Sequence, residues 1–268
     1  MVCRIWDAAK IVPLREFKVD GGGRAISADG KKLLVCGHEL SPMGFNVGTA
    51  MLYDVETGKR TLKMESKVFG FTGILSLDGR WAIVGNTDSG PPSSCLDLKE
   101  KRIHHLCDMD PNEKKAEFLA PLIFSPDGKT VLVQKIKGRE YLGVALCDIE
   151  TLKIRKEIPD PKRIISTAFT PNGERLILLD NSDRLEDPTP RQIRCWDIKA
   201  SKEIWRIPER SYQFNRILSA PGGDLALLIP DTFPGRMALI STKTGKTISF
   251  IRADFPERGN FPDPANKP

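Results

Sequence analysis

FSPDGKTVLV (124–133) carries the fold in ten residues. An apolar run reaches Asp127-Gly128, turns, and sets out again as a second apolar run. Such a reversal needs positive φ, which Gly adopts freely and Asn or Asp tolerate better than most residues, so Asp-Gly between apolar runs predicts a β-hairpin. The same sentence is written four more times, as ISADGKKLLVC (26–36), LSLDGRWAIV (75–84), FTPNGERLIL (169–178) and SAPGGDLALL (219–228). The turn glycines Gly30, Gly79, Gly128, Gly173 and Gly223 follow one another at spacings of 49, 49, 45 and 50 residues.

A second landmark keeps step with the first. WDAAK, YDVETGK, LDLKEK, CDIETLK, WDIKASK and ISTKTGK each end an apolar strand, turn, and start another short strand, with Asp7, Asp54, Asp97, Asp148, Asp197 and Ser241 as index residues. Repeats of this length with four short strands are the pattern of β-propeller blades, whereas helical repeats need a 3.6-residue apolar period that these runs lack. The second strands are apolar without alternation (TVLV, LILL), as expected where both faces are packed. Fourth strands such as RKEIP carry charge, as expected for a blade's outer edge.

The chain resembles the WD40-repeat β-propellers, of the degenerate, bacterial kind. Trp6-Asp7 and Trp196-Asp197 match the family dipeptide, and Tyr53-Asp54, Leu96-Asp97 and Cys147-Asp148 match it loosely. Gly37-His38 is out of phase with the family's Gly-His, and with histidine only at 38, 104 and 105 the family's His-Asp-Ser/Thr-Trp tetrad is incomplete in most blades. Asp88 and Asp183 best match the tetrad aspartate. The resemblance covers residues 1 to 253, with 254–268 as a Pro-rich tail.

Five complete blades are expected over 20–66, 68–108, 117–160, 164–209 and 213–253. VCRIWDA and LREFKV supply only the last two strands of a blade before them. The tail cannot complete it, because Pro256, Pro262, Pro264 and Pro268 remove ladder donors. The expectation is an all-β propeller of five four-stranded blades plus an N-terminal half blade, an incomplete six- or seven-bladed ring whose missing strands come from upstream sequence.

Composition narrows the function. Lys plus Arg number 41 against 35 Asp plus Glu, a formal charge of +6 spread along the chain without a basic block, which argues against a nucleic-acid partner. No apolar run approaches the roughly 18 residues of a membrane-spanning helix, so no membrane partner is expected. MVCRIWDAAK lacks the layout of a secretory leader. Six cysteines (3, 36, 95, 107, 147, 195), neither paired nor clustered, are read as buried thiols in a reducing, cytoplasmic setting.

Enzyme signatures fail one by one. Gly128-Lys129-Thr130 and Gly245-Lys246-Thr247 have Ile123 and Ile240 where a phosphate loop needs its first Gly. No nucleophile elbow occurs, and three histidines leave little material for a catalytic triad. His104 and His105 point to opposite faces of a strand, and the acidic run 108–118 lacks the Gly and the Glu of a calcium loop. No catalytic residue, metal or cofactor is expected. What remains is a set of long loops joining second to third strands: 36–48, 86–94, 181–191 and 230–235. There Met43, Phe45 and Phe233, with Arg184 and Arg191, have the composition of an interface, and they are the candidate partner-binding residues. The sequence thus favours a non-catalytic protein-interaction scaffold; the alternative is a ligand-sensing or enzyme-associated propeller, quinoprotein-like or peptidase-associated, with a pocket in its channel.

Overall fold

A strand that is apolar on both faces needs apolar cover on each of them, and the second strands of the repeats are of this kind. The computed structural model describes residues 2–7, 12–18, 23–40, 46–66, 72–85, 94–105, 117–137, 140–158, 163–181, 191–209, 214–230 and 235–252, all of them strands and turns. The chain is an all-β propeller. A two-stranded sheet, β1 (Val2–Asp7) with β2 (Val12–Lys18), precedes five four-stranded antiparallel meanders. The first sheet is β3 (Gly23–Ile26), β4 (Lys32–Leu40), β5 (Asn46–Asp54) and β6 (Arg60–Ser66). The second is β7 (Thr72–Leu75), β8 (Trp81–Gly85), β9 (Ser94–Asp97) and β10 (Arg102–His105). The third is β11 (Glu117–Phe124), β12 (Thr130–Lys137), β13 (Glu140–Asp148) and β14 (Ile154–Ile158). The fourth is β15 (Arg163–Phe169), β16 (Arg175–Asn181), β17 (Arg191–Asp197) and β18 (Lys202–Glu209), and the fifth is β19 (Phe214–Ser219), β20 (Leu225–Pro230), β21 (Arg236–Ser241) and β22 (Thr247–Arg252). The chain divides into two compact units, Met1–Arg163 and Ile164–Pro268.

The turn after each first strand is wider than the two-residue hairpin that Asp-Gly suggests. Only the glycine takes positive φ (Gly30 +69°, Gly79 +63°, Gly128 +68°, Gly173 +71°, Gly223 +77°), and the Gly128 amide donates to the Ser125 carbonyl at 2.9 Å. A side-chain relay widens and fixes it. The Ser125 hydroxyl donates to Asp127 Oδ1 at 2.6 Å, that oxygen accepts the Lys129 amide at 3.0 Å, and the Thr130 amide donates back to Ser125 Oγ at 3.0 Å. Ser27-Asp29, Ser76-Asp78 and Thr170-Asn172 repeat the relay in the first, second and fourth turns. In the fifth, Ala220 and Gly222 leave only the backbone bonds.

The index aspartates close the other turn, between third and fourth strands. Asp148 Oδ1 accepts the Glu150 and Thr151 amides and the Thr151 hydroxyl, and Asp54, Asp97 and Asp197 accept amides in the same way. Four residues after each index position the chain passes through positive φ: at Gly58 and Gly245, but also at Lys101, Leu152 and Ser201. Each index residue pairs with the residue two past its turn glycine: Asp54 with Lys32, Asp97 with Trp81, Asp148 with Thr130, Asp197 with Arg175 and Ser241 with Leu225.

Period-two geometry then sends alternate residues of the second strands of the first two sheets into different cores. In the first unit, Ala82, Val84 and Leu96 join Leu34, Cys36, Ala50 and Leu52 of the first sheet, whereas Trp81, Ile83 and Cys95 join Val131, Val133, Ala145 and Cys147 of the third. In the second unit, Ile177, Leu179, Ile193 and Cys195 meet Ile217, Ala226, Leu228, Ala238 and Ile240. Gly73 marks a close approach of the first two sheets, since a Cβ there would lie 2.4 Å from Cys36 Sγ. Cys36, Cys95, Cys147 and Cys195 are buried free thiols, and burial pushes Cys36, Cys95 and Cys195 up to about 12.

Candidate interaction surfaces

In a four-stranded meander the loop joining the second and third strands leaves one end of the sheet, and the other two turns leave the opposite end. The candidate residues Met43, Phe45, Arg184 and Phe233, the tetrad candidates Asp88 and Asp183, and the tail 254–268 all lie outside the described residues. Arg191 opens β17, half-buried rather than out on a loop, and its Nη1 donates to the Phe214 carbonyl at 3.0 Å. It ties the fourth sheet to the fifth. The repeat residues Gly30, Gly79, Gly128, Gly173, Gly223, Asp54, Asp97, Asp148 and Asp197 occupy the expected turns, and Trp6, Asp7 and Trp196 the expected third strands.

At the opposite end of the second and third sheets is a cavity of about 480 Å³, lined by Asp78, Arg80, Asp127, Lys129, Asp148 and Arg155 among others. Its charges are largely committed to one another. Arg155 pairs with Asp148, and Arg80 pairs with Asp97 at 3.2 Å while stacking over Trp81 with its guanidinium carbon 4.8 Å from the ring centre. The Ser125 hydroxyl and the Lys129 amide hold Asp127 below the ordinary carboxylate range, and the Thr151 amide and hydroxyl do the same for Asp148. Burial pushes Asp78 and Asp97 upward, but it is outweighed by Ser76 and the Arg80 amide at Asp78, and by the Glu100 amide and the Arg80 side chain at Asp97. Among the described residues no group of three His, Cys, Asp or Glu is placed to hold a metal.

The fourth sheet contains a polar cluster that sequence reasoning missed. Arg194, 2% exposed, donates from Nε to Glu203 at 2.7 Å and from Nη1 to Asp180 at 3.4 Å, with Trp196 beneath its guanidinium at 5.6 Å. Burial raises the Asp180 pKa, and Arg194 only partly opposes it. The three charged residues come from β16, β17 and β18 and meet only through the register. No local pattern announces them.

The outermost strand of the fifth sheet departs from the charged pattern of the other edges. TISFIR is exposed along its whole length, with Phe250 61% exposed and Ile248 and Ile251 also in solvent. Arg236 and Arg252 face each other across β21 and β22. Among the described residues no strand pairs with the free edge of β22. Leu218, opposite Leu227, adds a further exposed apolar side chain on the first strand of this sheet.

No protein-family profile matches the chain, and no curated protein matches it in sequence. Among solved structures it is similar to the β-propeller domain of Cps50 (Swd1) from Myceliophteria thermophila, at 13% identity and a TM-score of 0.70 over 94% of this chain and 80% of that one. It is also similar to hydrazine synthase from Kuenenia stuttgartiensis (17% identity, TM-score 0.62, 89% of this chain and 70% of that one). A third is TolB from Acinetobacter baumannii, at 15% identity and a TM-score of 0.55, over 84% of this chain and 52% of that one. At these identities the likeness is one of fold.

Proposed function

We propose that the chain is a non-catalytic, WD40-like propeller that serves as a protein-interaction scaffold in a reducing compartment such as the cytoplasm. The observation that carries this reading is the exposed apolar strand β22. Isolated apolar side chains on a surface need no explanation, but three on one unpaired edge strand, flanked by arginines, match the chemistry by which sheet edges and interfaces take partners. Natural sheets usually blunt such an edge with charge. The Trp-Asp dipeptides at 6–7 and 196–197 support the WD40-like assignment, and the β-propeller domain of Cps50 (Swd1) is an overall fold precedent. The loops bearing Met43, Phe45, Arg184 and Phe233, with Arg191 at the strand start, form the second proposed partner surface.

The test compares two variant chains as baits, one with Phe250→Glu and Ile248→Lys, the other with Phe45→Ala and Phe233→Ala. Partners cross-linked to the wild-type chain and identified by mass spectrometry should be lost from at least one variant while circular dichroism stays unchanged. If both variants retain the wild-type partners, or the wild-type chain captures none, the scaffold reading fails.

A further inference from the structure

Consecutive sheets within a unit meet at their turns, and these junctions can be compared residue by residue. Lys32 stands two residues past the turn glycine of the first sheet. Its Nζ donates at 3.1 Å to the carbonyl of Gly79, the turn glycine of the second sheet. The lysine stem covers that turn, since a Cβ on Gly79 would lie 2.8 Å from Lys32 Cδ. In the fourth sheet the position of Lys32 is held by Arg175, which reaches the turn of the fifth through one hydroxyl. Arg175 Nη1 donates to Thr242 Oγ1 at 3.3 Å, and Thr242 Oγ1 donates to the Gly223 carbonyl at 2.7 Å. At both junctions a cation from one sheet serves the turn-glycine carbonyl of the next.

The junction of the second and third sheets is built without that cation. Trp81 holds the position of Lys32 and packs into the core shared with the third sheet, and Ile149 holds the position of Thr242. Nothing lies within 4 Å of a Cβ placed on Gly128, and among the described residues no group donates to its carbonyl. The cavity of about 480 Å³ lies here, with Trp81, Gly128, Ile149 and Glu150 in its lining beside the charged residues already named. Two of its three cations are committed, Arg80 to Asp97 and Arg155 to Asp148. That leaves Asp78, Asp127 and Glu150 against Lys129. Asp78 and Asp127, both held below the ordinary carboxylate range, are charged at neutral pH. The cavity therefore carries an excess of negative charge around an unserved carbonyl.

We propose that this cavity is a binding site for an alkylammonium group from outside the chain, which does at Gly128 what Lys32 does at Gly79. An ammonium has three donors and no acceptor, matching the Gly128 carbonyl and the carboxylates of Asp127 and Glu150. An unbranched stem covers Trp81 and Ile149 as lysine stems cover apolar surface elsewhere. Two carriers share this chemistry, a lysine side chain of a partner protein and a free alkylamine.

The test titrates the full chain, labelled with nitrogen-15, at constant ionic strength with three probes: Nα-acetyl-lysine methylamide, butylamine, and the Nε-acetylated form of the first, which keeps the stem and loses the charge. Both amines should give saturable shifts of the Gly128, Lys129 and Glu150 amide signals, and the acetylated probe should bind at least about tenfold more weakly. Asp127→Asn, which keeps the acceptor oxygen of its turn, and Glu150→Gln should each weaken the amines about three- to tenfold, whereas Lys129→Met removes a like charge and should tighten them. A lysine probe that binds more tightly than butylamine assigns the site to a partner's lysine, and equal binding assigns it to free amines. No saturable shift with either amine, equal binding of the acetylated probe, or affinities unmoved by all three substitutions would each overturn the proposal.

Discussion

Aspartate does two jobs in each of the first three repeats, and both lower its pKa. In the wider turn Asp127 accepts from the Ser125 hydroxyl and the Lys129 amide; in the narrower one Asp148 accepts from Thr151. Asp29 and Asp54 are held down by Ser27 and Thr57 in the same way. The folded pKa of each lies below the unfolded one, so the stabilisation is present above the ordinary value of 3.8 and is lost as pH falls through the folded value. Asn172 fills the same role in the fourth turn, where its Oδ1 accepts the Thr170 hydroxyl and the Glu174 amide. Asp127→Asn should therefore leave stability at pH 7 within about 1 kcal/mol of wild type, since the acceptor oxygen remains. It should also shrink the loss on going from pH 7 to pH 3. Urea titrations at the two values check this, and an unchanged acid loss would show that the Asp127 carboxylate does not titrate in the turn.

At the scale of the element, the first strand of the second sheet is placed by what lies beside it. Gly73 begins beside Cys36 of the neighbouring sheet, with room for no Cβ. Gly73→Ala should cost about 1–3 kcal/mol as an overpacked contact. The strain acts on one identifiable sulfur, so Cys36→Ala in the same chain should relieve part of it, and the double variant should be less destabilised than the two single changes added together. Denaturant melts of the four chains measure the coupling, and strict additivity would mean that the first two sheets do not meet at this pair. The third strand of the fourth sheet carries a charged interior cluster, Arg194 between Asp180 and Glu203. Removing one member of such a buried set strands the others, which ties the register of three strands to one cluster.

For the molecule as a whole, the repeat was legible because its punctuation is local. Gly30, Gly79, Gly128, Gly173 and Gly223 take the positive φ that the sequence assigns them, the five sheets fall where the spacing puts them, and β1–β2 is the expected half blade. Ser27, Ser76, Ser125 and Thr170 stand in four of the five quoted turns, but their role depends on the returning amide of the next strand and so is not a local signal. The Arg194 cluster was invisible for a related reason: its members lie up to 23 residues apart and are joined only by register. The apolar character of TISFIR is legible in the sequence, because it has one charged residue in six where RTLKMES, IRKEI and KEIWRIPE each have three or more. The long loops proposed as a partner surface stay a matter of composition, as most of their residues lie outside those described.

The central claim is that neighbouring four-stranded sheets share cores fed by alternate residues of one strand, and methyl NOE spectroscopy on a chain labelled at Ile, Leu and Val reads it directly. Ile83 should show cross-peaks to Val131 and Val133 of the third sheet, while its neighbour Val84 should show them to Leu34 and Leu52 of the first. If Ile83 and Val84 instead share one set of methyl neighbours, the sheets are not stacked flank to flank and the propeller account is wrong.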